Sequence, residues 1–390
     1  MINYKYLRKK SIKLWKVIML WGVLLIIIGM YIHIEFSKKT ETHNIAYDEF
    51  TYKQWYLYKQ FHGNVETNSN SVIMEEGFNN NALRIDSDFG TGVYSFWNRR
   101  IANSNKKELI IALIDSSVDI SHEDLYKNIW VNENEMPDDG IDNDNNGFVD
   151  DYYGWNFIDN CKKVDKNIET FSHGTHCAGV IAAEHNHIGI MGIAGNANVK
   201  IMVLPAVERG EDDEEIQNVI SAIRYAEIMG AQICNLSCTF SEYSKDMEEV
   251  IESSNMYFVV AAGNYENSFI KGVNIDQHKR YPASFNFSNV ITVGSLNTNG
   301  ELASTSNYGL ETVDIAAPGE WIFSTLPNNT YGFMSGTSMA VPMVTSVLAL
   351  YYLYHDIDLE GAVNVLYQNA NSSDSLTGKI ANKRILHFNH

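Results

Sequence analysis

Three stretches far apart in the chain carry side chains that together could activate a hydroxyl group. Gly336 to Pro342, GTSMAVP, sets Ser338 at the head of the apolar run Met339 to Tyr354. Ser172 to Gly179, SHGTHCAG, puts His173 on the first turn of a second helix. Leu109 to Asp115, LIIALID, is a short apolar run that ends in a carboxylate. A serine hydroxyl is a weak nucleophile until an imidazole takes its proton, and that imidazole needs a carboxylate to fix its tautomer. A lone serine before an apolar run reads as a helix cap. The histidine and the aspartate supply the partners that a nucleophile needs. Unpaired N–H groups at such a helix start also favour negative charge, which suits a site where an oxyanion forms.

The elements that must hold these side chains follow from the apolar pattern. Residues 109–115 read as a buried parallel strand with its acid at the carboxyl edge. Cys177 to Ala183 and Met339 to Tyr354 read as buried helices, and Val199 to Pro205 and Tyr257 to Asn264 as further strands. The acidic cluster Glu211 to Glu215 opens an amphipathic helix, Ile216 to Met229, whose dipole it complements. A charged rim preferring basic substrates is the second reading of that cluster. Strands alternating with helices, punctuated by Gly and Pro turns, predict an α/β fold: a doubly wound, mostly parallel sheet with helices on both faces.

Four motifs in this order resemble those of the subtilases, the subtilisin-like serine endopeptidases: DSSVD with Asp115, HGTHCAG with His173, AAGN with Asn264 and GTSMAVP with Ser338. The order aspartate, histidine, serine is the one known for subtilisin. The likeness runs from about Tyr47 to the C-terminus. It implies a triad of Asp115, His173 and Ser338, an oxyanion hole with the Asn264 side chain, and a protein or peptide as substrate. It also implies a substrate-binding wall at Ser237, Cys238 and Thr239 in QICNLSCTF, together with Gly263. The family usually has Ser-Leu-Gly-Gly along that wall, so Thr239 and Phe240 are expected to narrow or re-aim the pocket. Ser117 stands where the family normally places Gly, which puts a different backbone beside Asp115 in prospect. The alternative function is a catalytically silent, calcium-binding surface protein of the same fold, which the intact Asp, His, Ser and Asn disfavour.

Asp138 to Phe157, DDGIDNDNNGFVDDYYGWNF, is rich in hard oxygen donors. Asp142, Asp144, Asn146, the Phe148 carbonyl and Asp150 could wrap a Ca²⁺ ion, with Gly147 allowing the tight turn. Tyr153 stands where an EF-hand would close with a bidentate acid, and a solvated acidic turn is the competing reading. Some subtilases resemble this insertion, and there it implies calcium, so a structural Ca²⁺ is expected.

Charge is unevenly spread. The 390 residues carry a formal −19, yet residues 1–46 hold eight Lys or Arg against two acids, leaving −25 on the rest. So acidic a body is a poor partner for nucleic acid. Residues 1–16 form a basic cytoplasmic segment, and the apolar run that follows predicts an N-terminal transmembrane helix over 17–34. Residues 35–46 read as a tether and 47–390 as the catalytic domain, expected outside a cell membrane crossed once. Cleavage of the same run as a signal would release the domain instead. The four cysteines do not spell a disulfide framework, although a single bridge is open to them. His176 lacks the Glu of an HExxH zinc pattern and reads as a packed histidine.

Overall fold

The computed structural model describes residues 48–58, 61–66, 82–99, 107–166, 172–208, 213–265 and 271–389. The basic segment, the expected anchor and the tether lie outside them. A hairpin that the apolar pattern did not suggest comes first, β1 (Phe61–Glu66) antiparallel to β2 (Ala82–Ser87), followed by helix α1 (Val93–Arg99).

The main sheet is built from runs of aliphatic residues buried on both faces, as parallel strands between helices must be. These are β3 (Leu109–Asp115), β4 (Val199–Pro205), β5 (Ile233–Leu236), β6 (Tyr257–Ala261), β7 (Val290–Leu296) and β8 (Ile315–Pro318). They lie in the order β8-β7-β6-β5-β3-β4, every pair parallel. A second hairpin follows, β9 (Ile322–Leu326) with β10 (Thr330–Met334). The sheet edge beyond β8 is completed by the two-residue strands β11 (Asn371–Ser372) and β12 (Arg384–Ile385).

Alternate residues of a strand face opposite sides, and this parity decides where the chemistry goes. Ala112, Ile114, Cys234, Leu236, Phe258 and Val260 enter one core. The helices α3 (Asp213–Ile228) and α4 (Lys245–Ser253) supply Val219, Ile220, Ile223, Met247 and Ile251 to that same core. Ile111, Leu113 and hence Asp115 take the other face, which is covered by α2 (His173–Ala182) and α5 (Thr337–Tyr354). From α5, Thr345 donates to the Asn235 side chain at 2.9 Å across that face. α6 (Leu359–Asn369) packs on α5. Among the described residues α5 alone is long and apolar enough to cross a membrane, but 83 % of that stretch is buried inside the fold, as a central core helix would be.

Candidate active site

Asp115 is the last residue of β3, and His173 is the first of α2. The two meet at 2.7 Å through Asp115 Oδ1 and His173 Nδ1, and the Ser116 N–H donates to the same carboxylate oxygen at 2.7 Å. The helix can start this close because residue 174 is glycine. A Cβ there would lie 2.5 Å from the Ser116 carbonyl oxygen, and the Gly174 N–H is held by Ser116 Oγ at 2.9 Å. Ser117 needs no glycine, because its φ is not among the positive ones of this chain.

The carboxylate is buried, whereas the ring is 38 % exposed and turns its other nitrogen away from Asp115. Burial pulls the imidazolium pKa down, but the Asp115 charge and hydrogen bond outweigh it, so it stands well above the ordinary 6.5. His176, one turn on, bonds the Ile322 carbonyl at 2.9 Å, and burial drives its pKa down to about 3. It stays neutral and structural.

Ser338 lies in the first turn of α5, just past Gly336, whose φ of 153° marks the helix start. The Asn264 carbonyl oxygen Oδ1 accepts the Thr337 N–H at 3.1 Å. That bond turns Nδ2 toward the Gly336 side, where an added Cβ would meet it at 3.3 Å. Gly263 (φ +85°) lets the chain present Asn264, because a Cβ would strike Thr239 Oγ1 at 2.8 Å. Ser338 Oγ donates to the Ser237 carbonyl at 2.9 Å rather than to the His173 ring. A hydroxyl rotor takes whichever acceptor it faces, and catalytic hydrogen bonds often close only in the reacting complex.

Asp115, His173, Asn264 and Ser338 all line one cleft of about 340 Å³. Ser237, Cys238, Thr239 and Gly263 line it too. Phe240 does not. It is 2 % exposed and its backbone pairs with Tyr281, so it packs in the core and cannot narrow the pocket as the sequence suggested. Val207 and Glu208 form part of the wall, with no motif in the sequence to announce them. Cys177 reaches the site too, because its place four residues after His173 puts it on the same helix face. Its thiol lies 3.9 Å from His173 Nδ1 and 3.6 Å from the Ser338 carbonyl. All four cysteines are free thiols.

The acidic loop divides its donors differently from the expected set. Asp142 accepts the Asn146 and Gly147 N–H groups and so closes the turn. Asp150 pairs with Lys162 at 2.8 Å, which holds its carboxyl below the usual range. The Asn146 amide donates to Asp144 and Asp151, and the Phe148 ring packs on Trp155 and Tyr225. The carboxylates brought within 4.8 Å of one another are Glu135, Asp144 and Asp151. Glu135 Oε2 is buried with no hydrogen-bond partner. A second acidic pair, unsuspected from sequence, is formed by Asp48 and Asp124. Each leaves one carboxylate oxygen buried and unpartnered, and burial raises their pKa values to about 7 and about 8. His187 and Ile190 donate their N–H groups to these two acids, so one loop ties both down.

A profile of the Subtilase family matches residues 106–376. Subtilisin-like protease 1 of Plasmodium falciparum (isolate 3D7) is 31 % identical over 290 residues, covering 70 % of this chain and 41 % of its own length. The chain thus spans about two-fifths of that relative. The Major intracellular serine protease of Bacillus subtilis (strain 168) is 34 % identical over 262 residues, covering 67 % of this chain and 72 % of its own. The crystal structure of a cold adapted subtilisin-like serine proteinase superposes with a TM-score of 0.53 at 23 % identity, over 75 % of this chain and 93 % of that one. The parallel sheet agrees with that likeness, and the match of the family profile spans β3, α2 and α5. The chain belongs to the subtilase family.

Proposed function

We propose that the chain is a serine endopeptidase that hydrolyses peptide bonds in proteins or secreted peptides. The observation that carries this reading is the 2.7 Å contact of His173 with Asp115, in the cleft that Ser338 and Asn264 also line. Ser338 Oγ turns from the Ser237 carbonyl to His173 Nε2, gives up its proton there and attacks the scissile carbonyl. Asp115 holds the ring and stabilises its cation. The oxyanion takes hydrogen bonds from Asn264 Nδ2 and the Ser338 N–H at the α5 terminus. His173 then passes its proton to the leaving amine, and water repeats the sequence on the acyl enzyme.

Labelling with a fluorophosphonate, together with hydrolysis of a peptide library, tests the proposal. Wild type should label and cleave, and Ser338→Ala should do neither. A folded wild type that did neither would leave the calcium-binding, catalytically silent reading.

Two structural parts complete the proposal. Hard cations of the Ca²⁺ type suit the all-oxygen donors of Glu135, Asp144 and Asp151, and those of Asp48 and Asp124, where unpartnered buried oxygens motivate the assignment. The apolar run at 17–34 behind its basic flank supports a single membrane anchor with the catalytic domain outside.

A further inference from the structure

Pro342 lies inside α5, five residues beyond the first residue of the helix. In an α-helix the N–H of residue 342 would bond to the carbonyl of residue 338. Proline has no N–H, and its ring pushes that carbonyl outward. The carbonyl concerned belongs to Ser338, in a part of the helix where an unmatched acceptor is costly. Another element supplies the missing donor: Ser237 Oγ, just past β5, donates to the Ser338 carbonyl at 3.1 Å. Asn235 Nδ2 donates to that same Oγ at 3.1 Å, which leaves the hydroxyl proton aimed at Ser338. Asn235 is held in turn by Thr345 of α5 at 2.9 Å, so the chain of bonds begins and ends on the helix that carries the serine. The Cys177 thiol, at 3.6 Å from the same carbonyl, is a weak second donor.

We propose that Ser237 is a positioning residue whose hydroxyl replaces the hydrogen bond deleted by Pro342 and thereby fixes the turn that carries Ser338. The proposal rests on Ser338 being the nucleophile. Ser338 supplies both the attacking oxygen and a backbone N–H for the oxyanion, so a tilt of this turn displaces both. A misplacement of about 1 Å can cost roughly 10²-fold in rate.

The test is a double-mutant cycle in the full chain with Ser237→Ala, Pro342→Ala and both together, read by kcat and KM on a peptide substrate and by Tm. Ser237→Ala is expected to lower kcat about tenfold or more with a smaller change in KM. Pro342→Ala gives the Ser338 carbonyl a helical donor again, so the double variant should recover at least threefold in kcat over Ser237→Ala and regain part of its Tm. Ser237→Thr, which keeps a hydroxyl, should retain most of the wild-type kcat and guards against a Ser237→Ala variant that fails to fold. Additive effects on Tm would overturn the bond replacement, and coupling in Tm without coupling in kcat would overturn the positioning role. A wild-type chain that hydrolyses nothing would count against the peptidase reading, while the Tm arm would still report on the bond.

Discussion

His173 Nδ1 and Asp115 Oδ1 lie 2.7 Å apart, with the carboxylate buried and the ring 38 % exposed. Burial alone would make the ring lose its proton early. The Asp115 charge reverses this and carries the pKa well above 6.5. A general base works only in its neutral form, so raising its pKa delays activity as pH rises. The kcat/KM profile of the free enzyme should therefore show an acid limb above pH 6.5. Asp115→Asn should move that limb down while lowering kcat. A wild-type limb at or below 6.5 would show that the carboxylate does not govern the titration.

Asn264 offers the cleft an amide whose carbonyl end is already committed to the Thr337 N–H. Replacing it removes the donor proposed for the oxyanion and also frees the start of α5. Loss of the oxyanion-binding asparagine in subtilisin costs about 10² to 10³ in kcat, and this borrowed scale is the expectation for Asn264→Ala, with KM nearly unchanged. Steady-state kinetics on one peptide decides it; a fall in kcat of less than threefold would remove Asn264 from the mechanism.

The sheet was legible in the sequence because parallel strands buried on both faces leave continuous aliphatic runs, and β3 and β4 fall on the residues expected. Asp115, His173 and Ser338 could be singled out because one ends such a strand and the other two stand in the first turn of a helix. The lining of the cleft was legible only in part. Phe240 belongs to the core, where its backbone pairs with Tyr281 beyond the end of β5, and no local pattern encodes that. Val207 and Glu208 reach the cleft from a loop after β4. The acidic loop could be read two ways for a related reason. Alternating Asp and Asn can serve either an ion or the loop's own N–H groups, and only long-range partners such as Lys162 and Tyr225 decide between them. Asp48 and Asp124 are far apart in sequence, and N–H groups of the 187–190 loop bond to both.

The calcium sites proposed at the unpartnered oxygens of Glu135, Asp48 and Asp124 predict a stability that depends on the ion. A ligand that binds only the folded state stabilises it by mass action, by about 2.7 kcal/mol at a hundredfold excess over its Kd. Chelation with EGTA should therefore lower Tm by several degrees, and Ca²⁺ should restore it where Mg²⁺ restores less. Glu135→Gln and Asp124→Asn should each remove part of the Ca²⁺ response, separating the two clusters. An EGTA-treated protein with unchanged Tm and activity would leave both clusters without a cation.

Gly174 ties the fold to the site. A Cβ at this position would lie 2.5 Å from the Ser116 carbonyl oxygen and 2.9 Å from that of Ser117, both backbone atoms that no side-chain rotation can clear. Gly174→Ala must therefore push the start of α2 away from the end of β3. Overpacking of this kind costs about 1–3 kcal/mol, which calorimetry would register as a lower Tm. The displaced residue next in line is His173, whose 2.7 Å contact with Asp115 would lengthen. Its pKa should then fall back toward the ordinary imidazole value, so the acid limb of kcat/KM should shift to lower pH while the plateau drops. A variant with reduced Tm but an unmoved acid limb would show that the close approach stabilises the fold without setting the distance between Asp115 and His173.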